Sequence, residues 1–555
     1  MQEKVGNIIL DDEFYCGEDL YSDGSIEDRI LDICKNQKQD EILRMSSEWP
    51  ILYHLSDIRE NLLEWFPFTK QDDILEIGSG CGAITGLLSR KAKSVTCVEL
   101  SKKRSLINAY RNQDCNNVTI LIGSFEDIKL QQRFDYITLI GVWEYSGLYV
   151  KGTDSYLRMI ELLKRFLKPQ GKIIIAIENK VGLKYWNGAP EDHTGKLYSG
   201  MNDYIGEKNI RTFSKPEIIE LLNKAGLMQL KFYYPIPDYK LPDTVYSDKV
   251  LPQAGNIRCY RSDYSTCRMY NFYDATVYDQ VCRDNMFHYF ANSFLVVCGG
   301  NEQSLEFVKY SRERKSEFRI VTEIRNVGSG RFVVKRALCK EALGHIHQMK
   351  HKEEVWNSML PKVSCMTGEL TNDEYIVPYI DGIDLDTHFY TWRNDIEQFL
   401  EHVKFFVRNY LTPNEKDMIN FKITDGYEDI FGNNYLGNAR CLKATNIDCL
   451  FSNFKLAGDG RVYAFDFEWV FEFPIPYKYV LWRALKQLYI KYFVYLKGQI
   501  SGNHFLEYFG IDERSIQIFE RMEKKFAEYV FGKDNRERYL SNYRKSAFMQ
   551  NIRWV

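Results

Sequence analysis

Paired cysteines are absent from this chain. Its thirteen cysteines are scattered singly from Cys16 to Cys449 with no C-x-x-C pair, which argues against a zinc ribbon or a disulfide framework and fits reduced cytoplasmic thiols. Long apolar runs are absent too: segments such as Ile173 to Ile177 fall far short of a membrane span, so no transmembrane segment is expected. The stretch from Met1 to Cys16 has acidic residues but no basic region leading into an apolar core, so it does not read as a secretory signal. Neither charge is in large excess. A net charge of −3 gives no electrostatic reason to expect a nucleic-acid partner. Internal repeats and low-complexity tracts are missing. The expectation is a cytoplasmic globular protein, and 555 residues exceed one core, so roughly two to four domains are expected. Aromatic side chains are plentiful: 38 Tyr, 34 Phe and 9 Trp are accounted for by large cores and also permit a sugar-stacking surface.

Residues 1 to about 70 read as helices. Glu27 to Lys35, Asp40 to Met45 and Ser56 to Trp65 carry apolar residues at helical spacing, punctuated by Pro50 and Pro67, and predict a helical cap over 1–70. From Asp73 the pattern alternates, with strands at 73–77, 94–99, 118–122, 134–140 and 171–177 and helices at 82–90, 101–111 and 153–167. Such alternation marks a mostly parallel sheet with helices on both faces. Two insertions follow. One lies near 178–212, before a helix from Lys215 to Ala225 capped by Ser214; the other spans 235–292, between a strand at 227–234 and the apolar strand Ser293 to Val297. A long loop at the carboxyl end of a central strand is where a lid or substrate loop belongs. Gly299-Gly300-Asn301 reads as a linker closing a domain over 71–300. Beyond it, strands at Leu305 to Tyr310, Glu317 to Ile324, Arg331 to Leu338 and Glu374 to Ile380, and a helix from about Glu341 to Met359, precede a helical remainder. These predict a two-lobed α+β domain over 301–555, divided at 382/383.

The densest chemistry lies in Asp73-Ile74-Leu75-Glu76-Ile77-Gly78-Ser79-Gly80-Cys81-Gly82-Ala83, a strand, a glycine turn and a helix start. Such a turn lets the backbone approach a nucleotide-like ligand at a helix N-terminus. Its register differs from the dinucleotide G-x-G-x-x-G. With Glu76 in front, it resembles the first motif of class I S-adenosylmethionine-dependent methyltransferases. Glu99 ends the next strand, where a carboxylate can accept both hydrogen bonds of a ribose diol. Gly123-Ser124-Phe125-Glu126-Asp127, Phe134 to Tyr145, and Leu167-Lys168-Pro169-Gln170-Gly171-Lys172-Ile173 resemble the family's later segments, in order. The resemblance covers roughly residues 70 to 300. It implies a seven-stranded Rossmann-like methyltransferase sheet with S-adenosylmethionine as cofactor. Glu76, Gly78, Gly80 and Gly82 would form the methionine-side turn, Glu99 would hold the ribose, and Ser124, Phe125 and Glu126 the adenine, with Asp127 competing for the adenine amino group. In the first insertion, His193 with Asp192 or Glu191 beside it is the candidate catalytic base, or else makes only structural hydrogen bonds.

A second constellation lies downstream. Asn446-Ile447-Asp448-Cys449-Leu450-Phe451-Ser452-Asn453 and Phe465-Asp466-Phe467-Glu468-Trp469 resemble the catalytic loop and metal-binding motif of protein-kinase-like phosphotransferases, in their aminoglycoside and choline kinase form. Val333-Val334-Lys335-Arg336-Ala337 resembles the strand bearing the phosphate lysine, with Glu353 or Glu354 as its partner. The resemblance implies Lys335 on a nucleotide, Asp448 as the group orienting the nucleophile, and Asn453 and Asp466 on a metal, with ATP and Mg2+ as cofactors of an active domain. Tyr310-Ser311-Arg312-Glu313-Arg314-Lys315 lacks a glycine loop, and Asn446 stands where a histidine is usual, so a pseudokinase serving as a binding or scaffold module is the alternative. His345, His347 and His351 read as the wet face of a helix.

A methyltransferase followed by a kinase-like domain resembles the bifunctional enzymes that terminate bacterial O-antigen chains. That implies O-methylation of a saccharide or phosphosaccharide in cell-surface polysaccharide biosynthesis, and permits peripheral association with a polysaccharide assembly complex. A phosphate acceptor needs cations, for which Lys180, Lys184 and Arg211 are candidates; a hydroxyl needs a base, for which His193 is.

Overall fold

The computed structural model describes all residues except 1, 47, 208, 258–269, 300–303, 329, 358–362, 435 and 534–555. The expected linker at Gly300-Asn301, the end of the helix drawn to Met359 and the last part of the helical lobe lie outside the described residues. The described chain forms two compact units, one from residues 2–252 and 270–310, the other from 253–257 and 311–533.

The first unit is a twisted mixed sheet covered by helices. Its strands are β1 Gln2–Val5, β2 Ile8–Phe14, β3 Asp73–Ile77, β4 Ser94–Glu99, β5 Val118–Gly123, β6 Phe134–Ile140, β7 Leu167–Glu178, β8 Leu230–Ile236, β9 Thr244–Ser247, β10 Ser293–Cys298 and β11 Leu305–Tyr310. They lie in the order β1-β2-β5-β4-β3-β6-β7-β10-β8-β9-β11. From β2 to β7 neighbours are parallel, and β10 runs antiparallel between β7 and β8. Ile74, Leu75 and Ile173 to Ile177 are wholly excluded from water, as expected for strands covered on both faces. The helices are α1 Ile26–Lys35, α2 Gln39–Met45, α3 Trp49–Leu55, α4 Thr85–Lys91, α5 Lys102–Arg111, α6 Ser146–Tyr149, α7 Ser155–Lys164, α8 Leu183–Trp186, α9 Lys215–Lys224, α10 Asp274–Arg283 and α11 Phe287–Phe290.

Three expectations are corrected here. The N-terminal segment is not all helical: residues 2–14 form a hairpin turning at Gly6 and Asn7, and its second strand pairs with β5, Ile9 opposite Thr119. Pro50 punctuates the helices as expected, sitting in the first turn of the additional helix α3, where a missing N–H costs nothing. The segment from Ser56 shortens to a 3-10 turn, Asp57–Leu62. The seven strands from β5 across to β8 are thus widened by β1 and β2 on one edge and by β9 and β11 on the other. β11 pairs with β9, Val308 opposite Val245, so residues 305–310 join the first unit and its boundary moves from 300 to 310.

α1 to α3 are tied to the sheet through Arg104 of α5, whose Nε donates to Glu27 Oε1 at 2.7 Å and whose Nη2 pairs with Asp23. His54 Nε2 lies 2.9 Å from the same Asp23 carboxylate.

In the second unit, Ile320–Val327, Gly330–Ala337, Glu374–Pro378 and Glu369–Leu370 form an antiparallel sheet in that order. Leu343–His347 and Met349–Asn357 follow its second strand, and the longest helices, Tyr477–Lys491 and Glu513–Phe531, come later. Short strands, among them Phe454–Ala457 and Val462–Ala464, lie between them, so the part after 382 is not the largely helical stretch expected from sequence. Among the described residues no helix is long and apolar enough to cross a membrane.

Candidate active site

The parallel strands β3 to β7 end around a cavity of about 510 Å³, a volume suited to a small molecule. Gly78 and Gly80 begin its wall with φ of 66° and 52°. A Cβ on Gly78 would lie 2.5 Å from Val142 Cγ2, whereas the atom nearest a Cβ on Gly80 would be Arg104 Nη1 at 3.9 Å. Gly78 is therefore required by packing, and Gly80 leaves open backbone facing the cavity.

Glu99 ends β4 beside this turn. Its Oε2 accepts from Gly80 N at 2.7 Å and its Oε1 from Ser101 N at 3.0 Å, and each oxygen keeps a further lone pair. Burial raises its pKa. Ser79 Oγ, also on the wall, is buried without a hydrogen-bond partner. Ser124, Phe125 and Glu126 line the cavity after β5, where Glu126 accepts from Lys151 N at 3.1 Å.

Two expected ligand-side residues stand back from the wall. Strand alternation turns Glu76 under α4, where Oε2 accepts from Thr85 Oγ1 at 2.6 Å and Cys97 Sγ at 3.3 Å, and burial pushes its pKa up to about 7. Gly82 packs against Asn108 of α5. Both shape the turn.

The other side of the cavity is built from acids. Glu144 lies in the 3-10 turn Trp143–Tyr145 after β6, Glu178 is the last residue of β7, and His193 comes from the first insertion. Ligand atoms from all three lie within 4.8 Å of one another. His193 Nδ1 is 2.9 Å from Glu191 Oε1, and Nε2 is 3.6 Å from Glu144 Oε1. Glu191 Oε2 accepts from His193 N at 2.8 Å and Thr194 N at 2.7 Å, which fixes the local turn. Lys240, from the second insertion, reaches back: its Nζ is 2.6 Å from Glu178 Oε1 and 2.6 Å from Asp192 Oδ1. Asp192 Oδ2 also accepts from Lys184 Nζ at 2.7 Å and Tyr185 Oη at 2.5 Å. The Oε2 atoms of Glu144 and Glu178 are buried without a hydrogen-bond partner.

This charge pattern changes the expected roles. Burial disfavours charge on His193, but contact with Glu144 and Glu191 outweighs it and holds the pKa well above the usual imidazole value, so the ring is a cation at neutral pH and a poor base. Burial likewise opposes Asp192, yet Lys184 and Lys240 keep it well below the carboxylate range. Glu144, whose pKa is raised by burial, is the better proton acceptor. Glu191, the alternative neighbour, is the residue that touches the His193 ring. Glu144, Glu178 and Lys240 were not singled out from sequence, although acids at the carboxyl ends of two adjacent parallel strands mark this position. The cations considered for a phosphate are engaged elsewhere: Lys180 with Asp203 at 3.0 Å and Glu217 at 2.6 Å, Arg211 with Asp203 at 2.9 Å, Lys184 with Asp192. None of the three lines the cavity.

In the second unit the predicted residues meet. Lys335 Nζ lies 2.7 Å from Asp466 Oδ1. Asn446 Nδ2 donates to the Asp466 carbonyl at 2.8 Å, and its Oδ1 accepts from Asp448 N at 2.9 Å. Asn453 Nδ2 donates to the Asp448 carbonyl at 2.9 Å. Glu353 is not the partner of Lys335, because Gly368 N at 2.8 Å and Tyr375 Oη hold its carboxylate. Arg483 Nη1 occupies Asp448 Oδ1 at 2.7 Å. His345 is buried, not on a wet face, with Nε2 3.0 Å from Glu468; His347 and His351 are exposed.

A family profile described as "Methyltransferase domain" matches residues 75–175, the span from β3 to β7 that carries the glycine turn. Over 164 residues the chain is 24% identical to a tRNA (guanine-N(7)-)-methyltransferase of Mycoplasma mobile, covering 27% of this chain and 80% of that one. It is 23% identical over 197 residues to ribosomal RNA small subunit methyltransferase A of Malacoplasma penetrans, covering 35% and 69%. Among solved structures, phosphoethanolamine N-methyltransferase 1 of Haemonchus contortus, in complex with phosphoethanolamine and S-adenosylhomocysteine, superposes with a TM-score of 0.29 at 13% identity, covering 51% of this chain and 52% of that one. The first unit carries a methyltransferase domain, and the protein is an S-adenosylmethionine-dependent methyltransferase.

Proposed function

We propose that the first unit methylates a hydroxyl oxygen of a saccharide. S-adenosylmethionine fits the residues on one side of the cavity: the open backbone at Gly80 would take the methionine end, with Gly78 shaping the turn, Glu99 the ribose diol, and Ser124 to Glu126 the adenine. The unpartnered Ser79 Oγ offers one more hydrogen bond. Bound there, the cofactor supplies an electrophilic methyl group, and the protein has to orient an acceptor and receive its proton.

The observation that carries the acceptor reading is the buried Glu144–Glu178–His193 cluster on the same cavity. Carboxylate oxygens without a partner accept from a hydroxyl and repel a phosphate, whose oxygens need cations. The acceptors named for the RNA-methylating relatives suit this acidic wall poorly for the same reason. Tyr21, Tyr53, Tyr145 and Tyr149 add aromatic faces to the wall, which suit the C–H surface of a sugar. A role in cell-surface polysaccharide biosynthesis follows from the resemblance of the two-site chain to O-antigen terminators. Glu144→Gln is expected to lower methyl transfer to a saccharide panel about 100-fold or more, with cofactor affinity by calorimetry unchanged. Undiminished transfer would overturn the assignment of the acceptor site.

For the second unit, the convergence of Lys335, Asp448, Asn453 and Asp466 supports a phosphotransferase-like reading, in which ATP and Mg2+ bind and a phosphosaccharide is made. The Arg483–Asp448 pair favours the second reading, a binding or scaffold module, because the guanidinium occupies the oxygen that would orient a nucleophile. Titration with ATP and Mg2+ separates the two: metal-dependent binding lost in Asp466→Ala supports the first, and no binding by the wild type supports the second.

A further inference from the structure

We infer that Glu144, Glu178 and His193 hold a divalent cation at the acceptor end of the cavity, with open positions that take the acceptor hydroxyl. This rests on the hydroxyl-acceptor reading and deepens it: the oxygen would be held and acidified by coordination, and its proton would pass to the Glu144 carboxylate oxygen that does not bind the ion.

Four observations converge. Glu144 is 1% exposed and Glu178 0%, and each has an Oε2 with no hydrogen-bond partner, which an ion would supply. Ligand atoms of the three residues already lie within 4.8 Å of one another. His193 Nε2 and Glu144 Oε1 are 3.6 Å apart, too far for a good hydrogen bond. Ligands roughly 2.0–2.2 Å from one ion sit about 3–3.5 Å from each other. The His193–Glu144 pair at 3.6 Å is close to that spacing, and the remaining pairs, within 4.8 Å, would draw in by up to about 1.5 Å around an ion.

The outer contacts are those that hold metal ligands in place. His193 Nδ1 faces Glu191 Oε1 at 2.9 Å, so an ion that displaces the Nε2 proton would bind that nitrogen while Nδ1–H still donates to Glu191. Glu178 Oε1 accepts from Lys240 Nζ at 2.6 Å and Tyr239 Oη at 3.2 Å, which fixes that carboxylate. One imidazole and two carboxylates suit Mn2+, Fe2+, Co2+ or Zn2+ better than Ca2+. Three protein ligands leave positions for water or substrate.

The test uses the full chain with Asp466→Ala, so that the second unit's expected metal residue does not contribute. Chelator-stripped protein is titrated with Mn2+ and free Mn2+ is followed by electron paramagnetic resonance. One tight site per chain is expected, weakened about 100-fold or more by Glu144→Gln or Glu178→Gln and about 10- to 100-fold by Glu191→Gln. No tight site, or an affinity these variants leave unchanged, overturns the inference. Circular dichroism checks folding of each variant. If one carboxylate variant fails to fold, the parent titration and the other variant decide. Calorimetry with S-adenosylmethionine on the same samples separates the two readings: cofactor bound without Mn2+ sinks only the metal site, and Mn2+ bound without cofactor sinks the methyl-transfer reading.

Discussion

Glu76 shows how a residue can belong to a site without touching it. The acid before the glycine turn was legible in the sequence as part of the cofactor motif, but side-chain direction is not, and strand alternation sends it to Thr85 and Cys97. There its pKa is raised to about 7, above the usual carboxylate value, so folding favours the neutral form. The stabilisation this gives is fully present below about pH 4 and is lost as pH rises through about 7. Urea unfolding at pH 5 and pH 8.5 is expected to show Glu76→Gln losing about 3 kcal/mol less than the wild type over that interval. An equal loss in both would contradict the assignment. His193 teaches the opposite lesson. Its place on the cavity was legible from a polar insertion after a central strand, but its protonation was not, because Glu144 reaches it only through the fold.

At the scale of elements, β3, β4 and β6 could be drawn from sequence to the residue, since continuous apolar runs between turn signals leave little choice. The capping of α9 was equally plain: Ser214 N and Oγ both donate to Glu217 Oε2, at 2.7 and 2.8 Å. The same carboxylate takes Lys180 Nζ at 2.6 Å through Oε1, which ties the first insertion to the helix. Glu217→Ala is therefore expected to cost about 1 kcal/mol in chemical denaturation and to speed proteolysis within residues 180–212. A variant as stable and as resistant as the wild type would show that this contact does not anchor the insertion. The β1–β2 hairpin was the element missed. Gly6-Asn7 is a two-residue turn signal, but the acids at Asp11, Asp12 and Glu13 hid the short apolar strand Ile8 to Leu10 beside it.

For the whole molecule, sequence motifs separated two sets of chemistry, and each set assembles within its own unit. The glycine turn and Glu99 belong to the first, where Glu144 and Glu178, not singled out from sequence, join them; Lys335, Asp448, Asn453 and Asp466 belong to the second. Calorimetric titration with S-adenosylmethionine is accordingly expected to give one site per chain with the same affinity, within about twofold, in the wild type and in Asp466→Ala. Loss of that site in the variant would mean that the second unit supplies part of the cofactor pocket.

The N-terminal hairpin also bears on how the chain is made. β2 is synthesised more than a hundred residues before its parallel neighbour β5, with β3 and β4 in between. Closing so long a loop carries an entropic cost that is recovered only once the central sheet exists. β1 and β2, although made before the central strands, are therefore expected to settle after them.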